Sequence, residues 1–163
     1  LYMGFRYGWQ EREVGLVLAA VGVAAMIVQG GLVRPVVAKI GERAAMLFGL
    51  ASGALGFSIY GWAPTGALFL AGIPIMALWG FAQPSVSALM SIRVAADEQG
   101  KLQGAAASLM GLSGLAGPWM FALSFAYAID PAKQLMVPGL PFYMASSALA
   151  LAVLIALGIE KGK

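Results

Sequence analysis

An all-α polytopic membrane protein is the fold class this sequence predicts, and three observations predict it. Of its 163 residues, 61% are hydrophobic and only 10% are charged, where a soluble domain has roughly 45–50% and 25%. Mean hydropathy is +0.86. The ten basic and seven acidic residues are clustered, leaving charge-free stretches at 14–33, 44–92, 102–129 and 134–159. Each reaches the ~20 residues that carry a helix through about 30 Å of hydrocarbon. A water-soluble globular domain, a disordered segment and a nucleic-acid-binding domain are excluded. The chain has neither Cys nor His, so disulfides, thiolate chemistry, a Ser-His-Asp triad and His- or Cys-ligated metal sites are excluded too. No catalytic residue, metal or cofactor is expected.

Residues 1–8 run Leu1-Tyr2-Met3-Gly4-Phe5 to Arg6 and read as the end of a span whose beginning lies outside the sequence, as in a fragment. The first full span is 14–33. The stretch 44–92 is too long for one helix and contains Gly61-Trp62-Ala63-Pro64-Thr65-Gly66, a turn signal, which divides it into spans 44–62 and 67–92. A fourth span covers 102–129 and a fifth, after a short lead-in, 140–159. The prediction is five complete spans plus the end of a sixth. Asp97 and Glu98, just ahead of the fourth span, suit helix N-terminal capping and the helix dipole. Orientation follows from basic residues in alternate loops. Arg34, Lys39, Arg43, Arg93, Lys101, Lys161 and Lys163 fall on one side, against Arg6, Arg12 and Lys133 on the other. The first set and the C-terminus are therefore expected in the cytoplasm. Tyr7, Trp9, Tyr60, Trp62, Tyr127 and Tyr143 all fall at outer ends of spans, where amphipathic rings favour the headgroup layer.

The third and fourth spans are long, about 39 and 42 Å at 1.5 Å per residue, and must tilt, kink or project into water. Pro84 and Pro118 each remove a backbone N–H and crowd the carbonyl four residues back, at Gly80 and Gly114. With Gly117 these form the candidate kinks. The fourth span is dense in small residues, and its one bulky stripe beside two small-residue faces predicts a helix packed by protein on most sides. Gly49 and Gly53 in the second span are spaced for close helix approach. In the third span Met76, Trp79, Gly80, Gln83, Ser87 and Met90 share one face at 100° per residue. A buried amide without a partner costs several kcal/mol in lipid, so Gln83 should meet a partner helix or a wet cavity. Two uses stay open for this face: interhelical packing, and a cavity for an amphipathic ligand that Met and Trp would suit. Gln29, near the cytoplasmic end of the first span, and Ser108 are further candidates for such a cavity.

The run Gly30-Gly31-Leu32-Val33-Arg34-Pro35-Val36-Val37-Ala38-Lys39-Ile40-Gly41-Glu42-Arg43 resembles the second copy of the signature loop that major facilitator superfamily transporters carry between paired spans. Its matching residues are Gly31, Arg34, Lys39, Gly41 and Arg43. Leu89-Met90-Ser91-Ile92, Gln99 to Gly104, Ser108-Leu109, Gly114 and Gly117-Pro118 look like the junction of the tenth and eleventh spans in tetracycline-type drug/proton antiporters. Arg6-Tyr7-Gly8-Trp9 with Glu13 to Leu16 resembles the seventh-to-eighth-span junction of that branch. The resemblance covers nearly the whole chain. It implies the C-terminal half of a twelve-helix major facilitator fold, partnered by a missing N-terminal six-helix half, in a bacterial inner membrane. Three departures are specific. Ala38 stands where the loop usually carries an acid. Gly53 aligns with a membrane-embedded Asp of the ninth span. Met110 and Gly111 replace a more polar pair.

The function this implies is proton-coupled efflux of a small amphipathic compound, tetracycline-like or other, by alternating access of two halves. Its partners would be the lipid bilayer, the other half, the substrate and protons, with no nucleic acid. The competing reading is a non-transporting packing or assembly protein, or a transporter remnant. An intramembrane enzyme is disfavoured, since no His, Cys or membrane-embedded acid is present to activate a serine or water.

Overall fold

The computed structural model describes residues 1–133 and 136–158. Lys161 and Lys163, two of the basic residues used for orientation, lie outside the described residues, as does the last residue of the expected 140–159 span. Among the described residues the secondary structure is helical throughout. A short helix α1 (Tyr2–Tyr7) precedes α2 (Glu11–Ile27), which runs through a π turn (Val28–Leu32) into α3 (Val33–Ile40). Then follow α4 (Glu42–Trp62), α5 (Gly66–Ala71), α6 (Ile73–Ala77), a 3₁₀ stretch (Leu78–Phe81) and α7 (Ala82–Ser91). After a 3₁₀ turn at Ala96–Glu98 come α8 (Gln99–Ile129) and α9 (Leu140–Gly158). Five helical units, Glu11–Ile40, Glu42–Trp62, Gly66–Ser91, Ala96–Ile129 and Leu140–Gly158, are long and apolar enough to cross a membrane. The chain is an all-α integral membrane protein.

The signature segment is helix, not loop. Helix continues from Glu11 to Ile40, and only Gly41, with φ +81°, interrupts it before α4 begins. Pro35 cannot donate to the carbonyl four residues back, at Gly31, and its ring crowds that oxygen. The π turn just upstream, where the Val33 N–H reaches the Val28 carbonyl, widens the helix at Gly30–Gly31 and absorbs the misfit. The third span is broken twice, at Gly72 and by the 3₁₀ stretch that holds Gly80, four residues before Pro84. By contrast, the α8 helix runs unbroken through Gly114, Gly117 and Pro118. Its first turn carries no side-chain cap: Glu98 occupies the N-cap position without a capping hydrogen bond and instead lies 3.7 Å from Lys101 Nζ. Both groups are largely exposed, so the pair contributes little.

α4 is the centre of the bundle, packed against α9 on one side and α6–α7 on another. Its glycines make this possible. A Cβ at Gly49 would come within 2.6 Å of the Ala82 backbone N, and one at Gly56 within 2.9 Å of Met76 Sδ. Toward α9 the contact is polar: Ser146 Oγ donates to the Ala54 carbonyl (2.8 Å) and lies 2.8 Å from Ser58 Oγ. Such hydroxyls join helices where lipid offers no competing partner. Two apolar clusters form the core. Val28, Ala45 and Phe81 meet at one. Tyr2, Val17, Tyr60, Phe69, Ile73 and Phe125 meet at the other, where Tyr60 stacks on Phe69 with ring centroids 4.2 Å apart. The expected outer aromatic belt is therefore two populations. Trp62 and Tyr127 are exposed, whereas Tyr60 is 6% exposed and belongs to the core.

The fourth span departs most from expectation. Along α8, side chains from Gln103 to Met120 are almost all exposed, and a Cβ at Gly104, Gly111, Gly114 or Gly117 would meet nothing within 4 Å. Its only buried residues are Phe125 and Ala128. Small-residue faces are legible in a sequence, but which chain covers them is not. Within the described residues nothing does.

Candidate functional site

A cavity of about 570 Å³ opens in the bundle, walled by α2, α4 and the α6–α7 unit, with one residue each from α8 (Met110) and α9 (Leu149). Met76, Trp79, Gly80 and Gln83 line it together, with Gln29 opposite. The lining is otherwise apolar, including Val21, Leu50, Val86 and Leu149. This is the usual composition of an organic-ligand site: much apolar surface and a few polar groups.

Each polar group owes its place to a local feature of the sequence. Gln29 sits in the π turn, eleven residues before the helix ends at Ile40, about 16 Å at 1.5 Å per residue. The helix that carries it does not stop at 33 but continues past the exposed Arg34 and Lys39. Gln29 packs over Gly80, where a Cβ would come within 3.1 Å of Gln29 Cγ. Gly80 thus serves two needs, relieving Pro84 and letting Gln29 approach. Gln83 donates from Nε2 to Met110 Sδ at 3.7 Å. Thioether sulfur is a weak acceptor, so this contact leaves most of the amide's hydrogen-bonding capacity facing the cavity.

Three residues of the expected lining are elsewhere. Ser87 does not line the cavity, and Val86 does. The 3₁₀ stretch turns about 120° per residue instead of 100°. Over the four residues Leu78–Phe81 that adds ~80°, nearly one residue's step, so the stripe that enters at Met76 leaves at Val86. Met90 lines a different cavity. Ser108 is exposed and donates to the carbonyl of Gly104 in its own helix (2.9 Å). Tyr60 and Ile73, which also wall the cavity, carried no sequence signal for it; Tyr60 read as an interfacial aromatic. The Tyr60 hydroxyl and Ser85 Oγ are buried without a hydrogen-bond partner among the described residues.

Gly53 adjoins this site. A Cβ there would come within 2.9 Å of both the Trp79 ring and Leu149 Cδ1, so Trp79 occupies the space a side chain at 53 would need. Among the signature residues, Arg43 donates from Nη2 to the Ala156 carbonyl at 3.0 Å, tying the start of α4 to the last turn of α9. Gly31 lies in the π turn and Gly41 at the positive-φ break. Arg34 and Lys39 are exposed on α3. No cluster of three or more potential metal ligands occurs among the described residues.

Comparison with known proteins places the chain. It is 36% identical over 121 residues to the class G tetracycline resistance protein of Vibrio anguillarum, covering 74% of this chain and 31% of the relative. The chain belongs with the tetracycline resistance proteins. Against the class B tetracycline resistance protein of Escherichia coli it is 29% identical, over 88% of this chain and 36% of the relative. A mouse protein, Hippocampus abundant transcript-like protein 1, is 25% identical over 99% of this chain and 34% of its own length. The chain spans about a third of the length of these relatives. No family model matches it, and no solved structure matches it significantly.

Proposed function

We propose that this chain forms the C-terminal six-helix half of a secondary exporter that moves a small amphipathic compound outward in exchange for protons. The single observation that carries the reading is the cavity. It sits in the middle of the spans and combines two amides, Gln29 and Gln83, with Trp79 and two methionines, Met76 and Met110. α8 and α9 each contribute a single lining residue, Met110 and Leu149, which suits a cavity completed by an N-terminal half of the same protein. Alternating access would then rock the two halves about this midplane site. The basic residues at the α3–α4 and α7–α8 junctions put those ends on the cytoplasmic side, in a bacterial inner membrane. The relatives' resistance to tetracycline supports a drug-like substrate. Trp79 filling the space beside Gly53 leaves no room there for a titrating side chain, so the coupling acid belongs to the other half.

Cysteine accessibility tests this reading. In the full-length transporter, Cys in place of Gln83 should react with a membrane-impermeant thiol reagent, and a bound amphipathic substrate should protect it. Leu78, packed against the Val28–Ala45–Phe81 cluster, should be unreactive when replaced by Cys. Equal protection at both positions without substrate would show that the Gln83 face is ordinary packing.

A further inference from the structure

A second cavity, of about 380 Å³, lies where α4 begins and α7 and α9 end. Two guanidinium groups, Arg43 and Arg93, line it, and every other lining side chain is apolar, among them Met46, Leu89, Ala152 and Ile155. Arg43 is held in place by its bond to the Ala156 carbonyl. Arg93 follows the last turn of α7, with its backbone N–H on the Met90 carbonyl, and its exposed guanidinium pairs with no carboxylate among the described residues. The two arginines sit at helix ends, which is headgroup depth for spans of this length. The apolar walls run inward from them to Leu50 and Val86, which also wall the central cavity.

We propose that this cavity binds an anionic phospholipid, its phosphate held by Arg93 beside the already engaged Arg43 and the upper part of one acyl chain laid along Leu89, Ala152 and Ile155. Guanidinium is planar, permanently charged and forked, and so matches a phosphate bidentately. Basic pockets between membrane helices recognise lipid headgroups by this chemistry. A free inorganic anion would use the arginines and leave the apolar walls against water, which is why the occupant is a lipid. Through Leu50 and Val86 the bound chain abuts the central site, so occupancy bears on the width of that site.

Native mass spectrometry tests the proposal, on purified protein equilibrated with equal mole fractions of phosphatidylglycerol and phosphatidylethanolamine. Phosphatidylglycerol should be retained preferentially. Arg93→Gln, a change at an exposed turn, should lower that retention by about tenfold, the scale of one lost charge-assisted contact, and Arg93→Lys should recover part of it. Ala152→Phe fills the apolar groove without altering charge and should also abolish the preference. Equal retention of both lipids by the unmodified protein would overturn the proposal. So would a preference that survives Ala152→Phe yet is displaced by excess inorganic phosphate, which would reveal an anion site and no lipid site.

Discussion

Gly53 and Gly49 show how one missing side chain sets a membrane interface. At Gly49 the obstacle to a Cβ is the Ala82 backbone itself, 2.6 Å away, and backbone cannot swing aside as a side chain can. Gly49→Ala should therefore separate α4 from α7 and cost about 1–3 kcal/mol, the usual range for overpacking, read as a lowered Tm in detergent. Gly53→Asp should fare worse. The carboxylate would meet the Trp79 ring and Leu149 and would lack a charge partner. Loss of folded protein on size-exclusion chromatography is the expected outcome; a monodisperse variant as stable as the parent would contradict the packing described here. The close helix approach at 49 and 53 was legible in the sequence from the four-residue spacing. The identity of what fills the gap at 53 was not, because Trp79 comes from another span.

At the scale of elements, helix ends are joined by side chains that reach exposed carbonyls. α1 caps the C-terminal end of α4 from outside: Tyr2 Oη donates to the Tyr60 carbonyl (2.9 Å), and Tyr7 Oη to that of Ala63 (2.7 Å). Arg6 Nε donates to the Ala63 carbonyl at 3.3 Å, adding a cation where the helix dipole is negative. Tyr7→Phe should cost about 0.5–1.5 kcal/mol, the net worth of one such bond, measured against the parent by thermal denaturation. At the opposite end Arg43 serves α9 in the same way. Of the three signature cations, Arg43 and Lys39 should therefore separate. Arg43→Gln should cost about 1.5–3 kcal/mol, as a charged hydrogen bond does, whereas Lys39→Gln should stay within about 0.5 kcal/mol. Lys39 is exposed and makes no hydrogen bond or ion pair among the described residues. Equal effects from the two would mean that topology alone explains them. In the sequence the two are indistinguishable, since both are simply basic residues near a helix end; only the position of the α9 terminus beside Arg43 separates them.

For the whole molecule, the placement of charge limits what these residues do by themselves. Among the described residues, every acid lies at a helix end: Glu11 and Glu13 in the first turn of α2, Glu42 in that of α4, Asp97 and Glu98 before α8, and Asp130 at its C-cap. Proton coupling needs a group that titrates inside the access pathway, and none of these is placed there. Reconstituted alone in liposomes with an imposed pH gradient, the chain should not drive uptake of an amphipathic dye above the leakage of empty liposomes. Gradient-driven uptake would overturn this. Fold class, the presence of five spanning helices and the shared face of Met76, Trp79 and Gln83 followed from the sequence, because hydrophobic length and helical periodicity are local properties. Tertiary structure decided the rest. It made 34–40 helix where a loop was expected, Pro35 being accommodated by the π turn upstream. It moved the stripe from Ser87 to Val86 through four 3₁₀ residues, and among the described residues nothing covers the small-residue faces of α8. Those outcomes depend on which surfaces meet, and in a membrane, where lipid is as apolar as leucine, hydrophobicity alone does not choose between a neighbouring helix and lipid.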